Sequence, residues 1–213
     1  MNPKSINILV GCEESQAVTI AFRKLGFNSF SCDILDCSGG HPEWHIKDDV
    51  IKAIKSQRWD LIIVHPPCDR LANSGVRWLS ERNLWHEMYK SCAFFNVFTG
   101  LGGLGFRIII ENPIQHNHAR LRIEKYHQII QPYQFGHMEK KATCLWVYNM
   151  PELKETNNVY DEMMKLSYRE RAKVHYCSPG KDRAKIRAKT YPGIAEAMAQ
   201  QWGDYLLNKL TIE

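Results

Sequence analysis

The chain has 213 residues, a mass of 24.8 kDa and a formal net charge of +5 at pH 7. Its 44% apolar and 24% charged residues exclude extended disorder, and its length favours a single domain over residues 1–213. No apolar run of about 18 residues predicts a membrane span, and seven irregularly spaced cysteines favour free thiols over a disulfide framework.

Strand and helix signals alternate along the chain. In order, we predict a strand at 6–10, a helix at 15–25, a strand at 28–32, a helix at 48–56, a strand at 61–64, a helix at 80–99, a glycine-rich turn at 100–105, strands at 107–110 and 143–147, and a helix at 193–207. The runs at 61–64 and 107–110 are almost wholly apolar, as in strands covered on both faces. This order predicts an α/β fold with a doubly wound, mostly parallel sheet.

Residues 151–189 lack this alternation, and we predict that they form a basic, irregular insertion or flap. Between Lys165 and Lys189 the chain has nine Lys or Arg residues against Glu170 and Asp182. Such a stripe can neutralise nucleic-acid phosphates, although a solvated surface segment explains the composition equally well.

The motif His65-Pro66-Pro67-Cys68 directly follows the predicted strand at 61–64. Prolines stiffen the backbone, so this loop is expected to aim the Cys68 thiol at the carboxyl edge of the sheet, where α/β proteins bind ligands. Glu111 ends the apolar run that begins at residue 107. Two neighbouring strands would then deliver a nucleophile, Cys68, and an acid, Glu111, to one crevice. A buried structural cysteine is the alternative, and we assign it to the other six cysteines.

Neighbouring groups are expected to tune these two side chains. A positive charge from Arg70, Arg77 or a cationic cofactor would favour the reactive thiolate. Glu111 has to be protonated as it acts, which partial burial would favour. The polar turn Asn73-Ser74-Gly75 can open around a ligand.

The loop after the first strand, Gly11-Cys12-Glu13-Glu14-Ser15, lacks the G-x-G-x-x-G pattern of pyrophosphate sites. It suits a ligand without phosphates, such as a nucleoside that carries a sulfonium amino acid. Asp33 closes the second strand, where a carboxylate can accept both ribose hydroxyls or simply cap a loop. Asp48 and Asp49 are candidates for an adenine amino group and equally good residues for a helix start.

One cluster of cysteines and histidines is a candidate zinc site. Its spacing is C-x4-C-x3-H-x3-H, formed by Cys32, Cys37, His41 and His45. This is not one of the common structural zinc patterns, and we predict no metal site.

In these features the chain resembles the cytosine-5 DNA methyltransferases, most closely the small members carried by phages and prophages. That family has a Pro-Cys nucleophile loop, matched by Pro67-Cys68, and a Glu-Asn dipeptide on the next strand, matched by Glu111-Asn112. The stretches QPYQFG at 131–136, KATCLW at 141–146 and RAKTYPGIA at 187–195 also look like the small phage-type proteins. The resemblance therefore spans most of the chain.

The resemblance implies a Rossmann-like fold of the class I S-adenosylmethionine methyltransferase type, and methylation of cytosine C5 in DNA. Cys68 and Glu111 are then the predicted catalytic residues. The predicted residues for S-adenosylmethionine are Gly11, Cys12, Glu13, Ser15, Asp33, Asp49 and Pro66. The predicted substrate residues are Pro67, Asn73, Ser74, Asn112, Arg120, Arg122, Lys141 and Thr143. The expected partner is DNA, double- or single-stranded, or a free nucleotide, and a phage or prophage origin implies the cytoplasm of a bacterial host.

The chain also departs from the family pattern. Its first loop is not glycine-rich, only Arg120 and Arg122 loosely match the Gln-x-Arg-x-Arg segment, and no large target-recognition domain is present. Three alternatives therefore stay open: an exocyclic-amino DNA methyltransferase, an enzyme acting on C5 of a free pyrimidine nucleotide, and a catalytically degenerate nucleic-acid-binding module.

Overall fold

A computed structural model describes the chain over residues 2–178, 180 and 183–210. These residues form one sheet from the strands β1 (Asn7–Gly11), β2 (Asn28–Asp33), β3 (His45–Lys47), β4 (Leu61–Val64), β5 (Ile108–Pro113), β6 (Gln128–Ile130) and β7 (Thr143–Tyr148). The strand order is β3-β2-β1-β4-β5-β7-β6, and β7 runs antiparallel to both of its neighbours. This mostly parallel sheet with helices on both faces confirms the predicted α/β fold with a doubly wound sheet.

Helices connect the strands and cover both faces of the sheet. They are α1 (Ala17–Lys24), α2 (Val50–Ser56), α3 (Arg77–Glu81), α4 (Trp85–Gly103), α5 (Asn117–Arg120), α6 (Tyr160–Met164), α7 (Tyr168–Arg171), α8 (Lys173–Tyr176), α9 (Arg183–Ala188) and α10 (Pro192–Leu210). None of the helices in the described ranges is long and apolar enough to span a membrane.

Two apolar cores lie on opposite faces of the sheet because successive side chains of a strand alternate in direction. Leu61 and Ile63 of β4 pack in the core that includes α1 and α10. Ile62 and Val64 pack in the core that includes α2, α3 and α4. Burial on both faces explains why β4 has an uninterrupted apolar sequence.

The strand order reverses between β1 and β4, and open α/β sheets bind ligands in a crevice at the carboxyl edge beside such a reversal. Gly11 ends β1 and Val64 ends β4, and the His65 backbone N–H donates to the Gly11 carbonyl at 3.0 Å. The loops that follow β1, β4 and β5 therefore meet at this edge.

The long helix predicted at 80–99 is wrong at its beginning. Instead, α3 ends at Glu81 and α4 starts at Trp85. Between them Asn83 has φ +51°, a left-handed conformation that asparagine tolerates better than most residues. This residue interrupts the helix.

The glycine-rich turn predicted at 100–105 is also wrong, because α4 continues to Gly103. Gly102 lies against β7, where an added Cβ would be 2.6 Å from Cδ2 of Tyr148. Close packing of the helix on the strand therefore explains this glycine. The chain turns only at Gly105, whose φ of +94° favours glycine.

Two strands escaped prediction, and the basic segment is more regular than expected. β3 and β6 have three residues each, too few for an alternating pattern. The segment at 151–189 contains the short helices α6 to α9. Lys181 and Asp182 of the basic stripe lie outside the described residues.

The contact between Gly102 and Tyr148 gives a stability prediction. Gly102→Ala is expected to lower the free energy of unfolding by about 1–3 kcal/mol, since the new methyl group has to displace the ring. Gly100→Ala is the matched control, because nothing lies within 4 Å of a Cβ at that position. It is expected to raise the same free energy by up to about 1 kcal/mol. Urea denaturation measures both, and equal effects would contradict the packing.

Candidate active site

The loop that carries Cys68 is fastened to the segment that follows β5. The Asn112 side chain donates from Nδ2 to the Pro66 carbonyl at 2.8 Å. The His116 backbone N–H donates to the Leu71 carbonyl at 2.9 Å, and its ring Nε2 lies 2.9 Å from the Arg70 carbonyl. These bonds hold the loop after β4 against the loop after β5, so the position of Cys68 relative to Glu111 is fixed by the backbone.

His65 and Glu111 form a buried pair at the carboxyl ends of β4 and β5. The His65 Nδ1 lies 2.8 Å from Glu111 Oε2, and the two side chains are only 12% and 18% exposed. In the parallel register Val64 is opposite Ile110, so the next residues of both strands are neighbours. The pair therefore follows directly from strand register.

Each member of this pair shifts the pKa of the other. Burial raises the pKa of Glu111, but the hydrogen bond and charge of His65, with Lys141, outweigh it and leave the pKa lowered. Burial lowers the pKa of His65, but Glu111 and then Glu13 outweigh it and leave the pKa raised. Both shifts favour the charged pair, a Glu111 carboxylate beside a protonated His65. Burial favours a protonated Glu111, as expected from the sequence, but the charge and hydrogen bond of His65 oppose that effect.

Cys68 shares the crevice with Glu111 and Lys141. Burial raises the pKa of the half-buried Cys68 thiol, the Glu111 and Asp69 carboxylates raise it further, and the Lys141 ammonium opposes them. Burial lowers the pKa of Lys141, and the charges of Glu111 and Cys68 oppose that shift. A thiol, a carboxylate and an ammonium group thus lie within electrostatic reach of each other.

The cation beside Cys68 is not one of the expected arginines. The Arg70 guanidinium bonds the Asp69 carboxylate at 2.7 Å and the Glu87 carboxylate at 2.8 Å. Arg77 stacks on Trp78, with 4.1 Å between its guanidinium carbon and the ring centroid. Both arginines are therefore committed elsewhere, and Lys141 provides the positive charge.

The residues predicted for the cofactor surround the loop after β1. Burial raises the pKa of the Cys12 thiol to about 12, and the nearby Asp33 and Asp49 carboxylates contribute to this shift. Asp33 ends β2, and the next two residues, Ile34 and Leu35, expose 73% and 59% of their surface. Carboxylates beside exposed apolar side chains fit a nucleoside. The carboxylates can accept hydrogen bonds from the ribose hydroxyls, and the apolar surface can pack against the base.

Three of these cofactor candidates have structural roles of their own. Glu13 is buried, and its carboxylate accepts from the backbone N–H of Val18 at 2.6 Å and the hydroxyl of Thr19 at 2.8 Å at the start of α1. Asp49 caps α2 by accepting from the Ile51 N–H at 2.7 Å. Gly11 allows close approach of Val50 to β1. Ser15 is half-buried in the same loop, and Pro66 is buried at the end of β4.

The predicted substrate residues do not all reach the crevice. Pro67, Asn73 and Ser74 are exposed around Cys68. Asn112 is buried and serves the loop contact to Pro66, while Thr143 is buried and donates to the Lys141 carbonyl at 3.2 Å.

The two candidate arginines after β5 have different contacts. Arg122 donates to the His118 carbonyl at 2.9 Å and to the Tyr89 hydroxyl at 3.3 Å. Arg120 is exposed at the end of α5, and its charge acts on the Cys144 thiol of β7.

His65 is the site residue that sequence reasoning missed. The sequence pattern gives it no role beyond the first position of the His65-Pro66-Pro67-Cys68 motif. The signal is that a polar residue follows the apolar run of each of two neighbouring parallel strands, His65 after Val64 and Glu111 after Ile110. An ion pair at that register could have been predicted from the alternation alone.

Side chains of the Cys32, Cys37, His41 and His45 cluster take part in hydrogen bonds. Cys32 donates from its thiol to the Asp48 carbonyl at 3.3 Å, and His45 contacts the Ser31 hydroxyl and the Leu35 carbonyl through its two ring nitrogens. Over the described ranges, no group of three or more His, Cys, Asp or Glu side chains is arranged to hold a metal ion.

The end of the basic segment packs beside the crevice. The Lys141 ammonium donates to the Lys189 carbonyl at 3.2 Å, and the charge of Arg187 acts on Lys141. Tyr191 donates to the Glu139 carboxylate at 2.8 Å, and the Gly193 N–H donates to the His137 ring at 3.0 Å. The segments that follow residues 131 and 187 are therefore neighbours in space.

Comparisons with known proteins give little support for a family. No protein-family model and no curated protein matches the sequence. One solved structure to which the chain is similar is an E. coli protein encoded within a prophage and described as a candidate DNA modification methyltransferase. The two share 16% sequence identity at a TM-score of 0.39, over 76% of this chain and 56% of the E. coli protein. These values do not establish membership of its family.

The charge of Lys141 gives a prediction for thiol reactivity. Lys141→Met is expected to slow alkylation of Cys68 by iodoacetamide several-fold near pH 8, because loss of the ammonium group raises the thiol pKa further. Lys141→Arg keeps the charge and should react at a rate close to wild type. Peptide mass spectrometry measures the rate, and the buried Cys144 in the same digest reports any unfolding. Equal rates in all three proteins would exclude Lys141 as the relevant cation.

Proposed function

We propose that this chain is an S-adenosylmethionine-dependent DNA methyltransferase that acts on C5 of cytosine through a covalent adduct with Cys68. The observation that carries the proposal is that the charges of Glu111 and Lys141 both act on the Cys68 thiol at the carboxyl edge of the sheet. A nucleophile, a hydrogen-bonding carboxyl group and a cation are the groups that this chemistry requires.

A covalent step is needed because C5 of cytosine is a poor nucleophile. Cys68 attacks C6 as a thiolate, and its electron pair forms the S–C6 bond while the C5–C6 double bond opens. A hydrogen bond from a protonated Glu111 to ring N3 accepts the displaced charge and makes C5 nucleophilic. C5 would then take the methyl group of S-adenosylmethionine, and removal of the C5 proton by a water molecule would re-form the C5–C6 double bond and expel Cys68 as a thiolate.

Lys141 has to favour ionisation of the Cys68 thiol. In the free protein the Cys68 thiol has a raised pKa, so only a small fraction is ionised at neutral pH. The Lys141 ammonium opposes that shift, and a cationic ligand next to the crevice would oppose it further. We therefore expect the nucleophile to form mainly in the loaded site.

The cofactor is proposed to lie over the loop after β1. Asp33 would hold the ribose hydroxyls, and the exposed Ile34 and Leu35 offer an apolar surface for the adenine. S-adenosylmethionine supplies an electrophilic methyl group on a positively charged sulfur. The Glu13 carboxylate, buried at the start of α1, contributes to the loop conformation rather than to direct contact.

DNA is the proposed substrate because a basic segment ends next to the crevice. Arg187 and Lys189 approach Lys141, and their charges suit phosphates that flank a cytosine. In duplex DNA the base has to leave the stack to reach a crevice of this kind. Such an arrangement needs no separate recognition domain, but it predicts weak sequence preference.

Product analysis tests this function. Incubation with labelled S-adenosylmethionine and unmodified DNA is expected to give 5-methyl-2′-deoxycytidine on nucleoside mass spectrometry. Cys68→Ser is expected to lower the rate by more than about 10³-fold, because the hydroxyl is a far weaker nucleophile. Cys92→Ala, which alters a buried cysteine of α4, should retain activity.

Each alternative gives a different result in the same assay. Methyl groups on the exocyclic nitrogen would identify an amino methyltransferase, and methylation of dCMP alone would identify a nucleotide enzyme. Absence of product together with no calorimetric binding of S-adenosylmethionine would identify a degenerate binding module. Any of these results would contradict the proposal.

A further inference from the structure

The imidazole of His65 is held in one orientation by both its backbone and its ring. Its backbone N–H donates to Gly11 at 3.0 Å, and Pro66 restricts the backbone on the other side. Its Nδ1 bonds Glu111 Oε2 at 2.8 Å. Within the described ranges no residue donates to Glu111 Oε1, so that oxygen is free to meet a substrate.

Charged groups face this imidazole from every side. Glu111 of β5 lies at Nδ1, the buried Glu13 acts from the loop before α1, and Lys141 acts from the segment before β7. Two carboxylates against one ammonium group favour a proton on the ring. The Nε2 atom is buried and has no partner among the described residues, so the ring proton that can move is the one shared with Glu111.

We propose that His65 is a positioning residue that orients Glu111 and holds the proton that Glu111 delivers to N3 of the substrate pyrimidine. This inference rests on the proposed function, and it assigns to His65 a role that the reaction needs. The lowered pKa of Glu111 favours its carboxylate in the free protein, and a carboxylate has no proton to give. The imidazolium next to it does.

The proton moves from the His65–Glu111 pair to N3 of the pyrimidine and later returns to the pair. As the Cys68 sulfur bonds C6, the electron pair of the C5–C6 bond moves toward C5 and N3. One proton passes from His65 Nδ1 to the Glu111 carboxylate and from that carboxyl group to N3, which leaves a neutral imidazole, a carboxylate and a protonated N3. When the C5 proton leaves and the S–C6 bond breaks, N3 returns its proton to Glu111 and the imidazolium re-forms. No net proton is consumed by the pair.

The substitution His65→Asn separates positioning from proton storage. The asparagine Nδ2 lies near the place of His Nδ1 and can still donate to Glu111, but it cannot titrate. We expect kcat to fall by about 10²- to 10³-fold with KM almost unchanged. His65→Gln is a second variant with a longer amide, and His86→Asn at an exposed position of α4 is the control.

The pH dependence distinguishes this role from a structural one. The pKa of His65 is raised, so the ring stays protonated at pH values where an ordinary histidine, with a pKa of 6.5, has lost its proton. The protonated form is lost as the pH rises through the raised pKa. Wild-type kcat is therefore expected to decline on the alkaline side of that value. The His65→Asn enzyme should show its residual activity without that decline.

A spectroscopic measurement tests the pair without relying on activity. Imidazole ¹⁵N resonances of the whole protein, with His65 assigned by its loss in His65→Asn, are expected to titrate above 6.5 in wild type and to shift to lower pH in Glu111→Gln. An unshifted His65 resonance in both proteins would overturn the inference. So would a His65→Asn enzyme with wild-type kcat and pH profile, even if 5-methylcytosine is formed. If wild type forms no 5-methylcytosine while His65 titrates as expected, the proposed function fails and the reaction role of His65 fails with it, but the ion pair stands.

Discussion

The hydrogen bond between His65 and Glu111 is the interaction on which the candidate site depends. It joins the carboxyl ends of β4 and β5, lies almost wholly out of water, and sets the charge of both groups. Breaking a buried pair by removing one partner is costly, since an uncompensated charge remains. The pair thus favours a Glu111 carboxylate beside the Cys68 thiol, whereas burial alone would favour the protonated carboxylic acid.

The fold supports this pair by simple means. The doubly wound sheet brings the ends of β1, β4 and β5 to one edge, and covered faces leave that edge as the place for polar groups. Asn112 and His116 connect the loop after β4 to the loop after β5, which limits the freedom of Cys68. The C-terminal stretch then returns to the same edge and places Lys189 against Lys141. Residues far apart in the chain therefore share one small volume.

Much of the fold could be predicted from the sequence because apolar runs and alternation reflect burial directly. The strands β1, β2, β4, β5 and β7, the two-sided burial of β4, and the placement of Cys68 and Glu111 at strand ends follow from that pattern. The interruption at Asn83 and the packing of Gly102 on Tyr148 depend on local conformation and tertiary contact, which propensity does not contain. The choice of cation also depended on distance in space, since Arg70 and Arg77 are close to Cys68 in sequence and Lys141 is not. His65 lay within reach of register reasoning, but its importance appears only beside Glu111.

The most direct test of the covalent mechanism is a crystal structure of the protein with S-adenosylmethionine and an oligonucleotide that contains 5-fluorocytosine. Fluorine at C5 cannot leave as the proton does, so the final elimination is blocked and the adduct accumulates. The account predicts continuous density between Cys68 Sγ and C6 of the base, with a Glu111 oxygen at hydrogen-bond distance from N3 and His65 on the other oxygen. A base bound without a bond to Cys68, or bound away from Glu111, would contradict it.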